Sequence, residues 1–246
     1  MGTIQSPSWQ DDEVKRALRR GDITSPRPIT SGSNYTLLVE VSGESRAYRA
    51  VYKPSKGERP LWDFPAGTLY KREYASYLVT RALGWDFIPI TVIRDGPLGT
   101  GSLQLWVDAE PQSSYFTLRE EGLAELERIA LFDCLANNAD RKASHCFRGR
   151  DGKVWAIDHG LTFHVDPKLR TVIWDFARVP ISPQLMGDMA ALLEGLRSQT
   201  DLHQALHLLM SQEEVSALER RMEGLLASGC FPDPDPFRRN VPWPYF

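Results

Sequence analysis

The spacing of apolar and polar residues changes several times along the chain, and each change marks an element. Residues 11–20 read as a short polar helix stopped by Gly21. Residues 24–34 are crowded with Pro, Ser, Thr and Gly and predict no regular structure. Residues 35–41 and 48–53 read as strands, and Ser42-Gly43-Glu44-Ser45 between them predicts a hairpin turn. Pro54, Gly57, Pro60 and Pro65 make the next stretch a loop. Leu69, Tyr74, Tyr77, Leu78 and Leu83 recur near helical spacing, so residues 69–83 predict a helix ended by Gly84. Residues 90–93 and 102–107 predict two further strands.

The second half reads as mainly helical. Leu123, Leu126, Ala130 and Phe132 form an apolar stripe over residues 122–137. Short strands at 146–148 and 154–157 flank the turn Arg150-Asp151-Gly152. Helices resume at about 183–196 and 211–227, the latter opened by a Ser211/Glu214 capping box. The Pro- and aromatic-rich tail from Phe231 predicts an extended strap or a mobile segment. The order predicts an α+β fold, an antiparallel sheet carrying one helix and then a mainly helical part. The expected division is a helix over 1–22, a sheet unit over 23–108 and a helical unit over 109–246.

Composition narrows the classes of function. At 42% hydrophobic and 25% charged residues, the chain is globular and neither disordered nor fibrous. A formal net charge of -3 provides no global basic field for nucleic acid or anionic lipid. Three cysteines, Cys134, Cys146 and Cys230, form neither a metal-type pair nor an even disulfide set, which fits a reducing cytosol. No signal peptide, membrane span, Walker loop or Gly-x-Ser-x-Gly elbow is present in the sequence. Trp62, Trp106, Trp155 and Trp174 read as core, since no basic stripe accompanies them. His145, Cys146, His159 and His164 cluster in sequence, but their spacings match no zinc site.

The chemistry concentrates in Asn137-Asn138-Ala139-Asp140-Arg141-Lys142-Ala143-Ser144-His145 and in Ile157-Asp158-His159-Gly160. A carboxylate ending a buried strand is expensive unless a positive group meets it. Asp140 and Asp158, on loops joined by a hairpin, could converge to hold Mg²⁺ and orient an acceptor hydroxyl. Lys142 could point at a transferred phosphate from the same loop. Ser31-Gly32-Ser33-Asn34 would let backbone N–H groups approach phosphates. Lys53, ending its strand, could reach them too, held extended by Glu73 on the following helix.

In the order Lys53, Glu73, Asp140 to His145, Asp158-His159-Gly160, the chain resembles the kinases. Val51-Tyr52-Lys53-Pro54, Asn138-Ala139-Asp140-Arg141 and Ile157-Asp158-His159-Gly160 resemble the phosphatidylinositol 3-/4-kinase superfamily and, more loosely, the HipA-type bacterial kinases. The likeness spans about residues 28–180 and points to a small bacterial branch of that group. It implies a two-lobed protein-kinase-like fold that binds ATP and Mg²⁺ or Mn²⁺. By that likeness Lys53 contacts nucleotide phosphates and Glu73 pairs with it. Asp140 is the catalytic aspartate, Asp158 binds metal, and Trp106 and Val107 lie closest to adenine. The chain departs from the pattern at His145, where these kinases place Asn, and at His159, where others carry Phe or Asn. His145 is the candidate second metal residue beside Asp158; Mg²⁺ prefers oxygen, so either that position is in question or the enzyme prefers Mn²⁺.

Three functions follow as expectations. The first is phosphotransfer from ATP to a hydroxyl on a protein, a small alcohol or a lipid headgroup. The second is a pseudokinase-like nucleotide-binding module, favoured by His145. The third is AMP transfer from ATP on the same scaffold.

Overall fold

A computed structural model describes residues 8–30, 34–122 and 124–246. The chain divides into two units: 1–74 with 89–107, and 75–88 with 108–246.

The first unit is built on a five-stranded antiparallel sheet. Its strands are β1 (Ile23–Ile29), β2 (Thr36–Ser42), β3 (Ala47–Pro54), β4 (Thr91–Gly96) and β5 (Gly99–Leu105), in the order β1-β2-β3-β5-β4. Strand alternation fixes its faces. Leu37, Val39 and Val41 of β2 lie opposite Tyr52, Ala50 and Tyr48 of β3. These residues join Val92 and Leu103 on one buried face. Helix α1 (Ser8–Arg20) covers that face with Val14, Ala17 and Leu18. Lys53 has the opposite parity and pairs with Ser102 on the other face.

Strand β1 corrects the expectation that residues 24–34 lack regular structure. It carries Pro26 and Pro28 yet pairs with β2. As an edge strand it needs only one row of hydrogen bonds, so a proline can turn its missing N–H outward. The register shifts between Thr24 and Arg27, where Ser25 takes a φ of 53°.

In the second unit, the 12-residue α4 (Glu125–Ala136) is apolar on most of its circumference and is buried accordingly. It starts three residues later than its apolar stripe predicts and is preceded by α3 (Tyr115–Glu120), which the sequence pattern misses. The hairpin of β6 (Cys146–Arg148) and β7 (Val154–Ala156) follows as expected. Helices α5 (Pro183–Arg197), α6 (Asp201–Leu209) and α7 (Gln212–Ser228) complete the unit. The Ser211/Glu214 capping box is present: the Glu214 N–H donates to Ser211 Oγ at 3.3 Å and the Ser211 N–H to Glu214 Oε2 at 3.0 Å.

The tail is a strap. The Thr171 N–H donates to the Asn240 carbonyl at 2.9 Å and the Ala143 N–H to the Tyr245 carbonyl at 2.8 Å. Helix α2 (Leu69–Ala82) contributes residues to both units. Among the described residues no helix is long and apolar enough to cross a membrane. Trp62 departs from the core assignment: it is 94% exposed.

Candidate active site

In the first unit Lys53 Nζ forms an ion pair with Glu73 Oε1 of α2. The Glu73 side chain is 3% exposed and that of Lys53 24%. A carboxylate so deeply buried needs a cation, and the last residues of β3 supply it. Nearby, Gly101 of β5 faces the end of β3 so closely that a Cβ would stand 2.4 Å from the Lys53 carbonyl oxygen. Trp106 follows β5; its N–H donates to the Arg49 carbonyl at 2.9 Å, and the Arg49 guanidinium lies 5.9 Å from its ring centroid. Trp106 and Val107 are both half-buried. Asn34 is tied to the loop after β3, its Oδ1 accepting from the Arg59 N–H at 2.9 Å. Ser31, Gly32 and Ser33 lie outside the described residues.

In the second unit the segment after α4 is shaped by asparagines. Asn137 ends the helix in the left-handed region, φ 52°, which asparagine tolerates better than most residues. The Asn138 side chain accepts from the Asp140 N–H at 3.0 Å, an Asx turn that presents the Asp140 carboxylate. Burial, the largest influence, raises the Asp140 pKa to about 6. Lys142 opposes the rise, its Nζ lying 3.2 Å from Asp140 Oδ2, and the charge of Asp158 adds to it. Asp140 and Asp158 are thus close enough to sense one another.

Asp158 also takes a left-handed conformation, φ 61°, and its side chain is 48% exposed. His145 Nε2 lies 3.3 Å from Asp158 Oδ2, while His145 Nδ1 accepts from the Lys142 N–H at 3.3 Å. Since Nδ1 accepts, Nε2 carries the proton and donates to Asp158. The other residues of the histidine and cysteine cluster in the sequence separate. His159 Nε2 meets Arg141 and His164 Nδ1 accepts from the Asp166 N–H. Burial pushes the Cys146 thiol up to about 12, which makes it inert. Among the described residues no group of three or more His, Cys, Asp or Glu could hold a metal. Two neighbouring carboxylates still suit Mg²⁺, which keeps waters and substrate oxygens in its coordination shell.

Beneath these groups lies a feature that motif reading passed over. Asp133, on the apolar circumference of α4, is fully buried and forked by Arg141, also fully buried. Arg141 Nε donates to Asp133 Oδ2 at 3.0 Å and Nη2 to Oδ1 at 2.9 Å. Asn138 Nδ2 and Thr171 Oγ1 donate to the same carboxylate at 2.8 and 3.1 Å. The signal was available in Leu131-Phe132-Asp133-Cys134-Leu135, an acid in an otherwise apolar run.

An antiparallel sheet with a helix, followed by a mainly helical unit, is a protein-kinase-like α+β fold. The Golgi casein kinase with Mn/ADP bound matches with a TM-score of 0.56 and 14% identity, over 92% of this chain and 77% of its own. The Helicobacter pylori proinflammatory kinase CtkA matches at 0.52 and 10% identity, over 87% and 94%. No protein-family model matches the chain. It is 41% identical to Protein Rv2133c of Mycobacterium tuberculosis (strain ATCC 25618 / H37Rv) over 96% of both sequences, and it belongs to that protein's family. It is also 26% identical to phosphatidylinositol 4-kinase gamma 4 of Oryza sativa subsp. japonica, over 66% of this chain and 35% of that protein.

Proposed function

We propose that the protein is an ATP- and divalent-cation-dependent phosphotransferase acting on a hydroxyl acceptor. The observation that carries this reading is the pair Asp140 and Asp158. They are two mutually sensing carboxylates on adjoining loops, one half-buried with a pKa near 6 and one exposed. Such a pair divides the labour that phosphoryl transfer asks of a protein. Asp140 would take the proton of the acceptor hydroxyl, being ionised yet still basic at neutral pH. Asp158 would hold Mg²⁺ or Mn²⁺, with His145 beside it. A divalent cation held there would supply positive charge to offset that of the phosphates.

Lys142 would exchange its contact with Asp140 for the transferred phosphate. Lys53, held by Glu73, would neutralise the nucleotide phosphates. Trp106 and Val107 would border adenine, and Ser31, Gly32, Ser33 and Asn34 would border the phosphates. The names of the similar proteins, a phosphatidylinositol 4-kinase and two kinases, support phosphotransfer. The acceptor is a protein, a small alcohol or a lipid headgroup. The HipA-type affinity stands on motif order alone.

His145, where these kinases carry Asn, favours a second reading: a nucleotide-binding module without turnover. ATP labelled at the γ or the α phosphate separates the readings when incubated with the protein, Mg²⁺ or Mn²⁺ and a cell extract. Phosphotransfer predicts γ-label on product, lost in Asp158→Ala. Label from the α position means AMP transfer. Binding without any labelled product, unchanged in Asp140→Asn, means the module.

A further inference from the structure

We propose that Arg141 is the positioning residue that sets the spacing of Asp140 and Asp158, with Asp133 as its buried counter-ion. This rests on the phosphotransferase reading of those two carboxylates.

Arg141 follows Asp140 directly, so whatever fixes its backbone fixes the Asp140 loop. The Arg141 N–H donates to the Arg170 carbonyl at 3.0 Å, and its own carbonyl accepts from the Val172 N–H at 3.2 Å. The main chain is thereby held on both sides by residues 170–172. Its side chain then crosses to the segment that carries Asp158. Nη1 donates to the Ile157 carbonyl at 3.0 Å, and Nη2 lies 2.7 Å from His159 Nε2. Ile157 and His159 are the residues on either side of Asp158. One guanidinium therefore touches the chain immediately before and immediately after one carboxylate while being covalently next to the other.

The chemistry of the contacts makes this a rigid pin. A guanidinium only donates, so His159 Nε2 must accept and the imidazole proton sits on Nδ1. That explains a histidine in the middle of Asp158-His159-Gly160: it supplies an acceptor that phenylalanine lacks. Asp133 takes the fork with both oxygens, which fixes the plane of the guanidinium. A lysine would keep the charge in this place but lose the fork and one of the two reaches to the Asp158 segment. A purely stabilising pair would not need to bond both neighbours of the same exposed acid. Partners one shell out from a metal typically change affinity by about 10–100-fold when removed.

The test uses the full chain as wild type, Arg141→Lys and His159→Phe, with Mn²⁺ as the probe. Free Mn²⁺ is followed by its paramagnetic resonance signal, and metal-free ATP binding by calorimetry in EDTA. Mn²⁺ affinity is expected to fall at least tenfold in Arg141→Lys and several-fold in His159→Phe. ATP affinity without metal should stay within about twofold in both. If Arg141→Lys fails to fold, His159→Phe, which leaves the Asp133 pair intact, decides alone. Folded variants that bind Mn²⁺ as wild type does overturn the inference and leave the proposed function standing. A wild type that binds no Mn²⁺, alone or with ADP present, overturns both.

Discussion

Lys53, near the end of β3, and Glu73, on α2, form an asymmetric ion pair: the carboxylate is buried and the amine reaches solvent. Removing the two partners should therefore have unequal consequences. Lys53→Met leaves a buried carboxylate short of its cation and should destabilise the protein by about 1–3 kcal/mol. Glu73→Gln leaves a lysine that can turn to water and should change stability by less than about 1 kcal/mol. The double variant should recover part of the Lys53→Met loss, which urea melts of all four proteins would show. Under the proposed function, both single variants raise the KM for ATP.

Gly101 controls the same lysine from the neighbouring strand. A methyl group there meets backbone atoms of Lys53 and Pro54, which no side-chain rotation can relieve. Gly101→Ala should push β3 and β5 apart at that end, destabilising the fold by about 1–3 kcal/mol. ATP affinity should fall with it, whereas Gly187→Ala, in α5 with open space around it, should leave ATP affinity intact.

Asp140 predicts an unusual pH dependence. Its carboxyl is raised to about 6 in the folded protein, against 3.8 as the ordinary value. Between those two pH values the folded chain holds a proton that the unfolded chain has released. Stability from this group is thus lost as pH rises from about 4 to about 6, opposite to the usual aspartate. Asp140→Asn cannot lose that stability. Without metal it should be more stable than wild type at pH 7, by on the order of 3 kcal/mol, and the gap should close toward pH 4. Thermal melts across that range check the sign.

Asp133 should be the most sensitive of the polar positions. Asp133→Ala leaves the Arg141 guanidinium buried without its counter-ion, a loss of about 3–5 kcal/mol. In a chain of this size that is a drop of roughly 10 °C in Tm. Thr171→Val removes one of several donors to the same carboxylate and should cost about 1 kcal/mol.

These contrasts show what was legible in the residues and what was not. Period-2 alternation made β2 and β3 readable because one face of each is buried. Helical spacing made α2 and α7 readable for the same reason. Strand β1 was hidden because its prolines report local preference, while its place is decided by the free edge of β2. Asp140 and Asp158 stood out through motif order, a local property. Asp133 did not, because its meaning lies in a partner eight residues away and in Thr171, thirty-eight residues away. Trp62 was misread because aromatic content alone does not reveal which side of a loop faces water.

The strap has a consequence for the order in which the molecule matures. Ala143 receives its backbone acceptor from Tyr245, and Thr171, which holds Asp133, receives its own from Asn240. During synthesis the segment bearing Asp140 must wait for about a hundred further residues before these bonds can close. A nascent chain halted after α7 would carry every residue of the Asp140 and Asp158 loops and yet lack the clamp that stiffens them.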